Sequence, residues 1–580
     1  MKQRFLVLAS TLLIAVAAQA QAPAPEDLSR GVARISLMDG EVSVRRGDSG
    51  EWVAGVINAP LLTDDRIATG QNSRAEVQFD ASNILRIGGN TEIQLAALES
   101  GKYHLEVARG TVTYRMLRPS RLDLELNTPS VSARPEREGV FRISVTEGGE
   151  SEVTARSGDV EIFTPKGTQW VYASQTMMAR GTVTDPEFQI VNASAEDDWD
   201  RWNQGRDRAV QSNNSAQYVP QGVYGTEELD ANGTWVNVAP YGYVWRPTGV
   251  AVGWAPYRNG RWVWINWYGW TWVSADPCGW APYHYGRWFF DGRWGWSWYP
   301  GGIGVTASWS PALVGFFGYG GGGIGVGVGF GFGNVGWVPL APFETFRPWW
   351  GSAYAGGLNR GVSITNVNVT TLYRNARVAN GISGMAAGDF TAGRSGSVQR
   401  VSGSQVQSAG LVSGRLPLNP SVASRRYSDR TVTNVPRATS NTQFYSRSGT
   451  PNTTQAQSGY HRFGDPGVSQ NARPSLTGAS GNAASQRQGT SQRFGQPGSS
   501  QSTTRPSGWR TFGTPGSSTG ARQPYSPPST RPNGSGPGNS APQVRPAPSN
   551  SAPRSAPAPS RPAGGGGHPA PPKGGDKGHR

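Results

Sequence analysis

At 580 residues, with a single cysteine and a formal charge of +15, the chain is long enough for two or more domains, and an intramolecular disulfide is excluded. Residues 401–580 hold 20 Lys and Arg against 3 Asp, or +17, which leaves 34 basic against 36 acidic groups, or −2, for residues 1–400. The basic character belongs to the C-terminal segment alone and points to anionic envelope polymers or lipid headgroups, with no nucleic acid as physiological partner.

Lys2 and Arg4 precede an apolar run from Phe5 to Ala18 that ends in Ala18-Gln19-Ala20. This predicts a signal peptide over residues 1–20, cleaved after Ala20. No later apolar segment reaches about 18 residues, so the expected mature chain has no transmembrane segment. It is expected in the periplasm, or secreted or at the cell surface. Apolar and polar residues then alternate in Ala33–Leu37, Glu41–Arg45, Ala75–Phe79, Thr111–Tyr114 and Val140–Val145, each bounded by Gly, Asp, Asn or Pro. The predicted class is all-β, with residues 32–186 forming a β-sandwich or solenoid-like domain. Trp199, Trp202 and Arg206, three or four residues apart behind acidic residues, predict a short linker helix over 196–212.

Seventeen of the 22 tryptophans lie between Trp235 and Trp350. There GWAPYRNGRW at Gly253–Trp262 recurs as GWAPYHYGRW at Gly279–Trp288, an offset of 26. Such a period marks a reused supersecondary unit. Asn232-Gly233, Asn259-Gly260, Gly286 and Asp291-Gly292 read as turn signals, and alternating aromatics follow them, so residues 218–350 are expected to be a Trp-rich β-hairpin repeat module. Gly315–Gly333 alternates glycine with apolar residues and reads as a partly ordered loop or strand, or an adhesive segment. Residues 351–400 are expected to be a weakly structured extension. Residues 401–580 are expected to be a long disordered tail, in which RFGDPG at Arg462, RFGQPG at Arg493 and RTFGTPG at Arg510 recur as small sticker motifs.

The motifs GDSGEW at Gly47, NAPLLTDDRIATGQNSRAEVQFDASNILRIGGNTEIQL at Asn58, GTVTYR at Gly110 and TPSV at Thr128 resemble the FecR domain. The resemblance implies a β-rich interaction domain. In founding members it is the periplasmic part of a sensor that relays a receptor's state to a sigma factor across the membrane. This chain shows no such span, so direct anti-sigma activity is not expected. YGTEELDANGTW at Tyr224, YGYVWRP at Tyr241, the two WAPY repeats and GWVPLAPFETFRPWW at Gly336 resemble an uncharacterised tryptophan-rich domain of exported bacterial proteins. That family has no assigned role.

No nucleophile elbow, phosphate loop or cofactor motif appears, and no enzyme activity or cofactor is expected. His104 and His284 lack a Cys or His companion at ligand spacing, so no metal site is expected. Asp276 and Asp291 read as turn residues before they read as a hydrolase pair. Cys278 reads as a buried structural thiol. The candidate binding residues are Trp262, Trp264, Trp288, Tyr257 and Tyr283, with Arg258, Arg261 and Arg287 for cation–π contacts. They form either a stacking platform or the core of a glycine-rich module, with Trp254 and Trp280 expected to be buried and Trp262 and Trp288 more exposed. The expected function is a non-enzymatic, exported interaction scaffold for a glycan, another envelope polymer, an anionic surface or an envelope protein. The alternatives are a surface adhesin or matrix component and, behind it, a diverged envelope glycan hydrolase.

Overall fold

The computed structural model describes residues 30–446 apart from 120, 165, 183–184, 321–332, 351–362, 434 and 436–442, and also Arg510 and Thr511. The predicted signal peptide, the middle of the glycine-rich segment and most of the tail lie outside the described residues.

Among the described residues seventeen strands precede residue 193. They begin with β1 (Ala33–Asp39), β2 (Val42–Arg45), β3 (Trp52–Ala54), β4 (Pro60–Leu61), β5 (Arg66–Thr69), β6 (Arg74–Gln78), β7 (Asn83–Ile87), β8 (Glu92–Glu99) and β9 (Lys102–Met116). There follow β10 (Asp123–Asn127), β11 (Ser132–Pro135), β12 (Gly139–Val145), β13 (Ser151–Ser157), β14 (Val160–Thr164), β15 (Gly167–Val171), β16 (Gln175–Thr182) and β17 (Asp185–Asn192).

One layer runs β3-β2-β5-β8-β9-β10-β11-β14-β15. The other runs β4-β1-β6-β7-β9-β12-β13-β16-β17. The chain switches repeatedly between layers as it advances, so the domain is a sandwich with a solenoid-like progression. Val44, Ile67, Leu95 and Leu105 from one layer share a core with Ile35, Val77, Val112 and Ile143 from the other. Each such burial contributes roughly 1.5–3 kcal/mol. β9 serves both layers and bends at Gly110, where φ is +87° and a Cβ would stand 2.2 Å from the Thr91 hydroxyl. Only glycine fits that corner.

Alternation puts a polar row on the face of the second layer turned away from this core: Arg34, Glu76, Arg86, Arg142 and Arg156. The helix α1 (Asp198–Gln211) covers much of it, started by a capping box between Asp197 and Asp200. Its Trp199 donates to Thr113 Oγ1 at 2.9 Å, and its Asp200 holds Arg142 and Arg156 at 3.1 and 2.6 Å. Arg206 reaches Glu76 at 2.8 Å, and Asp207 reaches Arg86 at 2.6 Å. The linker helix is therefore a lid over a buried ionic ladder.

Beyond α1 come β18 (Gly233–Val238), β19 (Gly242–Pro247), β20 (Gly260–Ile265), β21 (Gly269–Ser274), β22 (Arg287–Asp291) and β23 (Gly295–Tyr299), then β24 (Val314–Tyr319) and β25 (Asn334–Pro339). These are four hairpins. The two outer hairpins of the first three merge into a four-stranded sheet, β18-β19-β23-β22. The start of the glycine-rich segment is the buried strand β24.

Two boundaries need correction. Residues 363–400 are not a weak extension but carry β26 (Ser363–Val367), β27 (Ser383–Ala386) and β28 (Gln399–Arg400). The tail does not begin at Val401, because β29 (Ala409–Ser413) fits between β26 and β24 in a six-stranded sheet. Val401, Val406, Leu411, Val412 and Leu416 are buried. Further on, Tyr427 donates to Pro60 O at 2.7 Å, and Asp429 pairs with Arg261 at 2.7 Å. Composition alone hides these residues because their few aliphatics are scattered, and the ordering comes from a sheet edge supplied elsewhere. Deleting residues 401–580 would thus remove part of the core.

Candidate functional site

The first three hairpins share one design. Trp235 opposes Trp245, Trp262 opposes Trp272, and Trp288 opposes Trp298 across each pair of strands. A glycine opens each hairpin twelve residues before the second tryptophan. A Cβ at Gly233, Gly260 or Gly286 would lie 2.4–2.6 Å from the ring of Trp245, Trp272 or Trp298. The glycines are there to let a ring lie on the backbone. This corrects the turn assignment: Asn232-Gly233, Asn259-Gly260 and Gly286 start strands, and only Asp291-Gly292 lies in a hairpin turn. There Asp291 accepts from the amides of Arg293 and Trp294.

The platform expected at Trp262, Trp264 and Trp288 is core. Their exposures are 2 %, 4 % and 1 %, and Tyr257 and Tyr283 are fully buried. Trp262 meets Trp272 edge-on at 5.2 Å and Phe316 at 4.8 Å. Trp288 donates to Pro282 O at 2.7 Å, and Tyr257 donates to Tyr283 O at 2.7 Å. Trp280 is buried as expected, whereas Trp254 is half-buried, the reverse of its expected ranking against Trp262 and Trp288. The arginines are equally committed. Arg261 binds Asp429, Arg258 donates to Asn380 O at 2.7 Å, and half-buried Arg287 lies over Phe346 at 5.9 Å. With few Leu and Ile available, the module spends its largest rings on its own interior.

Exposed aromatics stand elsewhere, at Trp170 and Tyr172 in the sandwich and in a group beside the four-stranded sheet, where Phe343 and Tyr243 are exposed and Tyr241 and Tyr299 half-buried. Tyr241 lies 4.6 Å from Phe289, 5.7 Å from Tyr299 and 6.2 Å from Phe343. Phe343 is 79 % exposed and holds φ at +68°, a costly conformation for a bulky residue. Along the same sheet, Tyr243 packs on Tyr218 at 4.8 Å, and Arg293 stacks on Trp294 at 4.6 Å. Tyr241 and Phe343 lie inside motifs noted in the sequence, but nothing in their spacing separates outward rings from inward ones.

A cavity of about 230 Å³ opens at the seam between the sandwich and the hairpins, lined by Arg30, Asp48, Asp64, Asp65, Trp267 and Tyr268 among others. Arg30 stacks on Trp267 at 4.2 Å. Burial pushes the Asp65 carboxyl up to about 7, against the charge of Arg46 and the amides of Gly47 and Leu62. Above this seam Arg34 is fully buried and pairs with Glu227 and Glu228 at 2.6 and 2.7 Å.

Asp276 opens a turn as expected and is also a buried hub, bonded to the Tyr283 hydroxyl and accepting from Asn259 Nδ2 at 2.9 Å. These bonds occupy it structurally, and Asp291 is equally occupied in its turn. Burial pushes the Cys278 thiol up, which keeps it protonated. His104, judged from spacing to be alone, lies 3.3 Å from Asp123, and Glu125 completes a group within 4.8 Å. Parallel pairing of β9 with β10 brings them together, which linear spacing does not reveal.

His284 stacks on Trp309 at 5.1 Å, and its Nδ1 lies 2.8 Å from Ser310 O. Burial lowers its pKa from 6.5 to about 3 although that contact opposes the shift. Between these values the unfolded chain binds the extra proton. The stabilising contribution is therefore complete above pH 6.5 and is lost as pH falls towards 3. Urea titrations should show about 3 kcal/mol more loss between pH 6.5 and 4 in the native chain than in His284→Gln. Parallel pH profiles for the two proteins would refute this.

A family model described as FecR protein matches residues 65–161, and one described as a family of unknown function, DUF6600, matches residues 226–344. The chain thus carries a FecR domain followed by an uncharacterised domain. No curated protein matches the chain. Two crystal structures of a candidate anti-sigma factor from Parabacteroides distasonis match with TM-scores of 0.21 at 16 % and 17 % identity. Each match spans 24 % of this chain and 65 % or 64 % of the other, just under two thirds of the neighbour's length. No helix among the described residues is long and apolar enough to cross a membrane.

Proposed function

We propose that this FecR-type chain is an exported envelope scaffold that binds a glycan of the cell envelope through the aromatic group beside its four-stranded sheet, Tyr241, Tyr299 and Phe343. The observation that carries the reading is Phe343, held outward at φ +68° beside Tyr241 and Tyr299. A strained, exposed ring costs stability and persists where it serves a surface. Rings at 5–6 Å spacing offer apolar faces to sugar rings, and Arg246 and Arg293 beside Trp294 supply donors for hydroxyl or anionic groups. The basic tail adds salt-sensitive contacts with anionic surfaces, since exposed charges are screened beyond roughly 8 Å at physiological ionic strength.

Tyr241→Ala, Tyr299→Ala and Phe343→Ala should each weaken binding to soluble peptidoglycan strands by about 1–3 kcal/mol, by analogy with stacked bases, without lowering the melting temperature. Calorimetric titration would measure it, and unchanged affinity in the triple variant would sink the reading. A protein partner is favoured instead by the bare apolar loops at Val252, Ile303 and Val305, exposed by 107 %, 72 % and 58 %. Polar substitution there should then abolish capture of an envelope protein while glycan titrations stay silent.

A further inference from the structure

β17 is paired with β16 on one side, and its other side offers a row of backbone donors and acceptors at the end of the layer. Two residues from far along the chain occupy part of that row. Arg510 pairs with Phe188 and Thr511 with Glu187, antiparallel. They open the motif RTFGTPG, and the same pattern stands twice upstream as RFGDPG at Arg462 and RFGQPG at Arg493. We infer that the outer edge of β17 is a docking edge for this motif and that the chain's own three copies compete for it.

Strand addition reads an extended backbone more than particular side chains. Each copy offers a short stretch ahead of a Gly-x-Pro-Gly breaker, and proline cannot extend the ladder. A motif of this kind supplies a brief strand and stops. Among the described residues the pairing covers positions 187 and 188 of an eight-residue edge, a short hold that leaves exchange between copies open.

Reach permits the competition. Ser446 is fixed to the sandwich by its hydroxyl on Glu125 at 2.8 Å, and the amide of Tyr445 donates to Thr128 O at 3.2 Å. From Ser446 the first residues of the motifs lie 16, 47 and 64 positions on (462, 493 and 510 minus 446). At roughly 3.3–3.6 Å per residue, chain lengths of that kind reach at most about 53–58, 155–169 and 211–230 Å, against a radius of gyration of about 22 Å for a compact body of this size. Each copy can find the edge of its own chain. This inference stands apart from the aromatic surface, because neither motif nor edge includes its residues.

The test is hydrogen exchange over residues 185–192 in the full-length protein, in Thr511→Pro, and in the triple variant Phe463→Pro, Phe494→Pro, Thr511→Pro. Each change removes an amide donor from one motif. Protection should stay within about threefold of the native chain in Thr511→Pro and fall at least tenfold in the triple variant, with exchange in β12 unchanged as a control on folding. Equal loss in the single and triple variants, or native protection in the triple, would overturn the inference. Protection that rises with protein concentration would assign the edge to a neighbouring copy's tail and overturn the intramolecular assignment.

Discussion

Trp262→Ala and Trp288→Ala should each lower unfolding free energy by about 3–5 kcal/mol, because each removes a ring from a packed interior that cannot collapse to fill the space. Trp262 touches Trp272, Phe316, Trp337 and Phe390 within 5.8 Å, and Trp288 is bonded through its indole to Pro282 O. Trp272→Ala, in the opposing strand, should cost a similar amount, since its ring closes over Gly260. Urea unfolding would measure all three. A variant that keeps native stability but loses ligand binding would return these rings to the role of a stacking surface.

Glu76→Ala should be at least as damaging. The carboxylate is 1 % exposed and takes hydrogen bonds from Ser36 at 2.8 Å, Arg86 at 2.9 Å and Arg206 at 2.8 Å. Burial opposes its charge, but the Arg206 hydrogen bond and the charge of Arg86 outweigh burial and hold it at about 2. Removing it leaves the fully buried Arg86 guanidinium with Asp207 as its remaining carboxylate, a loss of about 3–5 kcal/mol, and frees α1 from one anchor. Hydrogen exchange should show α1 amides opening before those of β12. Its pKa lies below the ordinary 4.5, so the stabilising contribution is present above 4.5 and lost as pH falls through 2. A change below 1 kcal/mol with α1 still protected would refute the ladder's importance.

What could be read from the sequence follows physical range. Alternation in Val140–Val145 or Ala75–Phe79 is local, and the strands lie where it places them. The Asp197–Asp200 cap and the tryptophans of α1 are local too, and the helix differs from its expected span by two residues at one end and one at the other. The side of each aromatic strand that faces inward depends on partners far away. Trp262 is sealed by Phe316 and Phe390, more than fifty residues distant, while Phe343 is left outside. Gly260 looked like a turn because nothing nearby shows that the Trp272 ring needs its bare Cα. Ala409–Ser413 looked like tail because its value as a strand depends on edges from β24 and β26.

Arg34 sits in the first strand of the sandwich, yet the carboxylates that neutralise it arrive 193 and 194 residues later. At roughly 5–20 residues per second a ribosome takes about 10–40 s to supply them. Within the sandwich, Gln78 and Asn58 already accept from this guanidinium at 2.8 and 3.0 Å, so during that interval it stands on the outward face as a solvated cation whose acids have yet to arrive. The burial of that cation is timed by the arrival of the segment that follows α1, and a chain stalled between the two domains would present a basic spot to whatever chaperone attends it.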